Sequence, residues 1–347
     1  MPAKPVNAKD EKLEWCFPVR CDRGWGEVRI RSNGEVVWTG GYEPVGWACL
    51  DGISFPTDGA VRLQVVRQDI QRIDTLDSLE GTALGGRRYL CHFTKACTAI
   101  DGILSSGMLR LSGYSALNDP WEAKDWAFTV VSPEGALGPM QAVEIGREVS
   151  ALLKESSRVI CFCSDGYPLQ IEKDLEIPDT NGWAGAGMWA HYGEDHHGAV
   201  LIFNRRRLLE NSIAALRSKG PMFFGSVLYA PPDDNAGFHA LLIDQRSWAS
   251  IGSRAIAALH LESHRGWLFF TKHPDWSAER ECRLVLHGGK SPYEYIPVEG
   301  ALVEICVGDS TAQGTTEKLV ALAEQFNASV SRIVWRNGVP IRTPLPK

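Results

Sequence analysis

Arg-Val-Ile-Cys-Phe-Cys (158–163) and Ala-Val-Leu-Ile-Phe (199–203) restrict the fold of this chain more than any other stretches. Both are short apolar runs rich in β-branched and aromatic residues, too brief for a buried helix, and both read as buried strands. Amphipathic segments lie around them. Thr98 to Gly107 predicts a helix with Ile100, Ile103 and Leu104 on one face and Gly107 as its stop. Ala142 to Glu155 predicts a second, striped by Val143, Ile145, Val149, Leu152 and Leu153. Helical patterns also cover Arg206 to Ser218 and part of Gly237 to Leu261. Near the end, 302–307, a helix from Thr316 to Asn327 and 331–335 predict a β-α-β unit. The expectation is an α+β domain with a mixed sheet over residues 89–347.

Residues 1–76 differ in pattern and predict a small β-rich accessory module. Glu-Val-Arg-Ile-Arg (27–31) alternates, Ser-Asn-Gly (32–34) turns, and Glu-Val-Val-Trp-Thr (35–39) returns, which is a strong hairpin signal. Strands are also expected at 46–50 and 61–66. Trp25, Trp38 and Trp47 fit a small core better than a ligand face. The polar stretch 77–88 reads as a linker.

Composition narrows the function. A net charge of −6 gives no general attraction to nucleic acid. The one basic cluster, Arg205 to Arg207, reads as the solvated start of a helix. No apolar run approaches eighteen residues and no leader pattern opens the chain, so no membrane span or signal peptide is expected. The nine cysteines are scattered through apolar stretches, as in a reduced cytoplasmic protein, and none has the paired spacing of a zinc site. No metal is assigned.

Four polar constellations call for chemistry. His92 and Thr94 sit at the end of an expected strand, where they could hold a ribose or be satisfied by backbone. Asn118-Asp119-Pro120-Trp121-Glu122 has the form of a turn capping a helix, with Glu122 left over as a group that could reach a ligand. Trp189, His191, Tyr192, His196 and His197 precede a buried strand, either to stack on a planar ring or to fill a corner. Glu279, Glu281 and Arg283 alternate, so a strand through them would point all three to one face. They would form a surface ladder or line a cleft, and a glutamate in a cleft can stabilise a cationic transition state.

Together these stretches resemble a bacterial family known as domain of unknown function 2971, over residues about 87–345. The likeness rests on 89–94, 109–112 with 117–122, 161–164, 188–192 with 197–203, and 272–276 with 279–285. In their order they are also similar, more distantly, to ADP-ribosyltransferases of the DarT type, which implies a split sheet and NAD as co-substrate. On that resemblance His92 and Thr94 would hold the adenosine ribose and phosphates, and Trp189 or Tyr192 would stack on nicotinamide. Glu281, ahead of Glu279, would bind the nicotinamide ribose and stabilise an oxocarbenium-like transition state. The ADP-ribosyl group would pass to a nucleic acid or protein, in a bacterial toxin or antiviral defence setting, with the β module free to bind a partner.

Two other readings stand beside it. His92, Asp119, Glu122 and Glu279 or Glu281 could serve a metal-dependent nuclease, although no close Asp-x-Asp spacing occurs among them. Alternatively, the chain is a non-catalytic sensing protein in which the same polar residues form a buried structural network.

Overall fold

The computed structural model describes residues 70–73, 88–131, 137–164, 182–230, 240–289 and 291–346, with backbone alone for strands at 13–21, 24–31, 36–40, 46–50 and 53–57. The chain divides into two compact units, Met1–Arg67 and Gln68–Lys347. In the first, Leu13–Cys21, Gly24–Arg31 and Val36–Gly40 form an antiparallel sheet, and Gly46–Leu50 pairs with Ile53–Thr57. The expected pairing of 27–31 with the next strand is present, Val28 lying opposite Trp38. The Asn33-Gly34 turn, the strand expected at 61–66, positions 77–87 of the expected linker and the three tryptophan side chains lie outside the described residues. Gln71–Arg72 pairs with Met222–Ser226. The large unit therefore takes in residues ahead of position 76, where the accessory module was expected to end.

The large unit is α+β. Eleven described strands form one mixed sheet. Its central path runs Leu302–Val307, Ala199–Asn204, Tyr89–Thr94, Ser157–Ser164, Glu281–His287, Met222–Ser226. Ser157–Ser164 and Ala199–Asn204 are almost wholly buried, as their unbroken apolar runs require. Helices Pro139–Glu155, Gln245–Phe269 and Gln313–Gln325 are among those flanking the sheet. No helix among the described residues is long and apolar enough to cross a membrane.

Most expected elements appear with shifted ends. Thr98–Leu104 is a π-helical segment rather than an α-helix. The helix sought within 237–261 is Gln245–Phe269, started by Asp244, whose carboxylate accepts from the Ser247 amide, and kinked at Gly252, where φ is 76°. The closing unit is a parallel pair, Leu302–Val307 beside Ser329–Arg336, bridged by Gln313–Gln325. Arg205–Leu216 begins on an Asn204 cap, and Arg206 and Arg207 pair with Glu210.

One irregularity of the sheet positions everything that follows. Tyr89–Thr94 is paired along its whole length with Ala199–Asn204, and Ser157–Ser164 with Glu281–His287. Between these two central strands only Cys91↔Cys163 and Leu90↔Ser164 are in register. Beyond them the strands part, and Met108–Gly113 joins the second one at Arg158 and Val159. The sheet forks, and the fork leaves a notch at its centre.

Candidate active site

The notch is a cleft with about 150 Å³ of free space. One wall is His92 and its neighbours, the other Cys161 to Cys163, and the polar end holds Glu122, Tyr192, Lys272, Glu279 and Glu281. That volume suits a single aromatic ring, since engineered cavities of about 150 Å³ take up benzene.

Each polar group arrives by a local rule. Asp119 caps the single helical turn Pro120–Ala123: its side chain accepts from the Trp121 amide at 2.9 Å, and Pro120 follows at the first helical position. The turn reading of this stretch holds, and its consequence is that Glu122 points inward, 0% exposed. Glu279 is not on a strand. It ends a short helix, Pro274–Glu279, and Arg280 then takes a left-handed conformation (φ 46°) that restarts the chain as the strand Glu281–His287. Glu279 and Glu281 nonetheless converge, because Lys272 Nζ lies between them, 2.7 Å from Glu279 Oε2 and 2.9 Å from Glu281 Oε2.

Arg283 lies behind them, 0% exposed. Its Nε donates to Glu281 Oε1 at 2.5 Å and Nη2 to Oε2 at 3.0 Å, while Nη2 also contacts Glu122 Oε1 and Nη1 donates to the Phe269 carbonyl at 2.7 Å. The result is a buried chain of charge, Glu122–Arg283–Glu281–Lys272–Glu279. Glu281 is ionised: burial would raise its pKa, but Arg283 and Lys272 bring it down to about 2. Lys272 is raised, burial being outweighed by Glu281 and Glu122. Burial moves Glu122 the other way, to about 7, against the pull of Arg283 and Lys272. Its Oε2 is buried with no hydrogen-bond partner among the described residues. Burial thus raises the proton affinity of Glu122 toward neutrality, unlike that of Glu281 beside it.

This has a measurable consequence. A carboxyl raised from 4.5 to about 7 holds its proton more tightly in the folded chain. Its contribution to stability is complete below about pH 4.5 and fades as pH rises through 7, by no more than about 3 kcal/mol. Urea unfolding across pH 5 to 8 should show a fall in wild-type stability that Glu122→Gln flattens. Equal slopes for the two proteins would mean that Glu122 is ionised throughout. His260 and His287, both lowered by burial to about 4, act in the opposite direction and equally in both proteins.

The other expected site residues divide. His92 is half-buried on the cleft wall, its Nδ1 3.0 Å from the Cys161 carbonyl, and burial lowers its pKa. Tyr192 is also on the wall; its hydroxyl donates to Glu279 Oε1 at 2.7 Å and accepts from Asn118 Nδ2 at 3.4 Å. Thr94 is buried and is not among the residues lining the cleft. Its carbonyl lies where only a glycine fits at position 198, a Cβ there being 2.4 Å from that oxygen. Trp189 cannot stack on a ligand from this position. It is 0% exposed, its Nε1 donates to the Trp183 carbonyl at 2.9 Å, and it packs edge-on to Phe93 and flat against His196. The aromatic stretch is a filled corner that delivers Tyr192, together with Met188, to the cleft.

Lys272 carried no role in the sequence reading, although it opens the stretch 272–286. Its importance comes from a bridge to carboxylates seven and nine residues on, across a helical turn no periodicity announces. The thiols nearby are not nucleophiles. Burial, with Glu281 beside them, pushes Cys161 and Cys163 upward and keeps them protonated. Among the described residues no group of three or more His, Cys, Asp or Glu is placed to hold a metal ion.

Residues 188–284 match a family described as protein of unknown function (DUF2971). That span holds Tyr192, Lys272, Glu279, Glu281 and Arg283, and leaves His92 and Glu122 outside it. No curated protein and no solved structure matches the chain.

Proposed function

We propose that the large unit binds NAD with its nicotinamide ring in the cleft, breaks the bond from nicotinamide to ribose and transfers the ADP-ribosyl group to a nucleic acid or protein. The observation that carries this reading is a ring-sized notch at the fork of two central strands, with buried carboxylates at its polar end. Heterolysis of the bond sends the electron pair out with nicotinamide and leaves positive charge on the ribose. Three carboxylates (Glu122, Glu279, Glu281) face two cations (Lys272, Arg283), so the formal charge of the site is −1 while Glu122 is ionised. Carboxylates preorganised beside the ring-sized notch favour that transition state, most strongly while Glu122 is ionised. The acceptor then bonds to the ribose carbon, and its proton passes to water.

The geometry favours Glu279 over Glu281 as the residue that touches the ribose. Both oxygens of Glu281 are held by Arg283, and one of them also by Lys272. Each oxygen of Glu279 accepts one hydrogen bond, from Tyr192 or Lys272, and a carboxylate oxygen can accept a second. Glu281 then positions Lys272 and Arg283. His92 borders a second hollow, of about 590 Å³, that also contains Arg110 and offers room for the rest of the dinucleotide. The nuclease reading has less support, because the Lys272 ammonium fills the place between Glu279 and Glu281 that a metal would take.

Thermal-shift titration with NAD tests the proposal, with Mn²⁺ as a parallel arm. Saturable stabilisation is expected, about 2.7 kcal/mol at a hundredfold excess over Kd. It should be lost in His92→Ala and accompanied by release of free nicotinamide. A shift with Mn²⁺ alone, or none with NAD, would sink it.

A further inference from the structure

One buried cation stands outside the charge chain. Lys154, in the last turn of Pro139–Glu155, is 3% exposed, and among the described residues no carboxylate is paired with it. Lysine is seldom buried without a counter-ion. Here backbone answers the ammonium instead: Nζ donates to the carbonyls of Trp121 at 3.2 Å and Glu122 at 2.9 Å, and to that of Lys124. It also lies 4.4 Å from the centre of the Trp126 ring. Burial lowers its pKa to about 8, against the pull of Asp125 and Glu122.

The three carbonyls belong to one place. Pro120–Ala123 is a single helical turn, capped at its start by Asp119 and ended at Lys124, whose amide donates to the Pro120 carbonyl. A turn this short makes too few hydrogen bonds to persist alone, and its last carbonyls need donors from elsewhere. Lys154 supplies them. The same stripe of its helix grips the chain just beyond the turn. Ser150 Oγ accepts from the Trp126 amide at 3.0 Å, and a Cβ at position 146 would lie 2.9 Å from the Phe128 carbonyl, so the two backbones meet there. Positions 146, 150 and 154 are four apart and share one helix face. What the turn presents is Glu122, whose own carbonyl is one of the acceptors and whose carboxyl is buried against Arg283.

We infer that Lys154 is a positioning residue of the cleft: by closing the turn 120–123, its ammonium holds the Glu122 carboxyl buried beside Arg283. Asp119 and Lys154 anchor opposite ends of the turn, and together they fix the backbone from which that side chain leaves. With its last carbonyls released the turn frays, and Glu122, third of its four residues, turns toward water. The cleft depends on this anchor because the formal charge of the site changes with Glu122. The inference rests on the place of Glu122 in the cleft and not on the NAD reading. Its test uses no NAD, so either can fail without the other.

The test is urea unfolding of the full chain across pH 5 to 8 in four forms: wild type, Glu122→Gln, Lys154→Met and the double variant. The readout is how the stability difference between each protein and its Glu122→Gln partner changes with pH, which reports the proton on Glu122 alone. Methionine matches the length of lysine but donates nothing. In the Lys154→Met background that pH-dependent difference should fall to about half or less, because Glu122 then titrates as an ordinary solvated carboxyl. Loss of the cation without movement does the opposite, holding the proton on Glu122 to higher pH and enlarging the difference. A merely structural lysine lowers every curve alike and leaves the difference unchanged. Either of these results overturns the inference. So does a wild type with no such difference, since no buried Glu122 would then be there to hold. Should Lys154→Met fail to fold, Lys154→Gln, whose amide still reaches out as a donor, is measured and judged in the same way.

Discussion

Arg283→Met is expected to lower the unfolding free energy by about 3–5 kcal/mol, the cost typical of breaking a buried ion pair from one side. Arg283 is the centre of the buried charge chain: it holds both oxygens of Glu281, contacts Glu122 and satisfies the Phe269 carbonyl. Methionine fills much of the volume but leaves two carboxylates facing one another. The loss is therefore electrostatic, and it should be recoverable. Arg283→Met combined with Glu122→Gln and Glu281→Gln is expected to regain a large part of the lost stability, because the repelling charges go with the arginine. Urea unfolding of the single and combined variants measures this. Additive losses would mean that the arginine acts through packing alone, and the charge-chain description would be abandoned.

The residues differ in how far their roles could be read ahead of the structure. The strands at 157–164 and 199–204 were legible because their apolar runs depend only on local pattern. Asp119-Pro120 was legible as a cap for the same reason. His92 and Tyr192 both line the cleft, and each sits beside such an element. Errors appear where a residue's partner is distant. Glu122 and Arg283 are 161 positions apart, and no spacing relates them. Trp189 looked available because it lies among polar residues, yet its neighbours Phe93 and His196 close around it. Alternation suggested one strand through Glu279, Glu281 and Arg283. The left-handed Arg280 breaks that strand, and Lys272 then draws both glutamates to one point. Trp267 lies near the end of the long helix Gln245–Phe269, and only tertiary packing brings it edge-on to Trp121.

That same distinction separates catalysis from architecture in the second large effect. Glu279→Gln is expected to lower NAD cleavage by about 100-fold or more, the loss seen when one preorganised electrostatic group is removed from an active site. Its stability should change little. Lys272 keeps Glu281 as its counter-ion, and glutamine can still accept from the Tyr192 hydroxyl. Glu281→Gln should behave differently, costing about 3–5 kcal/mol, because two buried cations are weakened at once, Arg283 being left with Glu122 and Lys272 with Glu279. Its activity should fall only as far as the folded fraction and the placement of Lys272 allow. Nicotinamide release, set against unfolding curves for both variants, separates the roles. Were Glu281→Gln to abolish activity in a fully folded protein while Glu279→Gln stayed active, the ribose contact would pass to Glu281. Were Glu279→Gln to retain both activity and stability, the carboxylate at the mouth of the notch would have no part in the chemistry, and the whole charge chain would be structural.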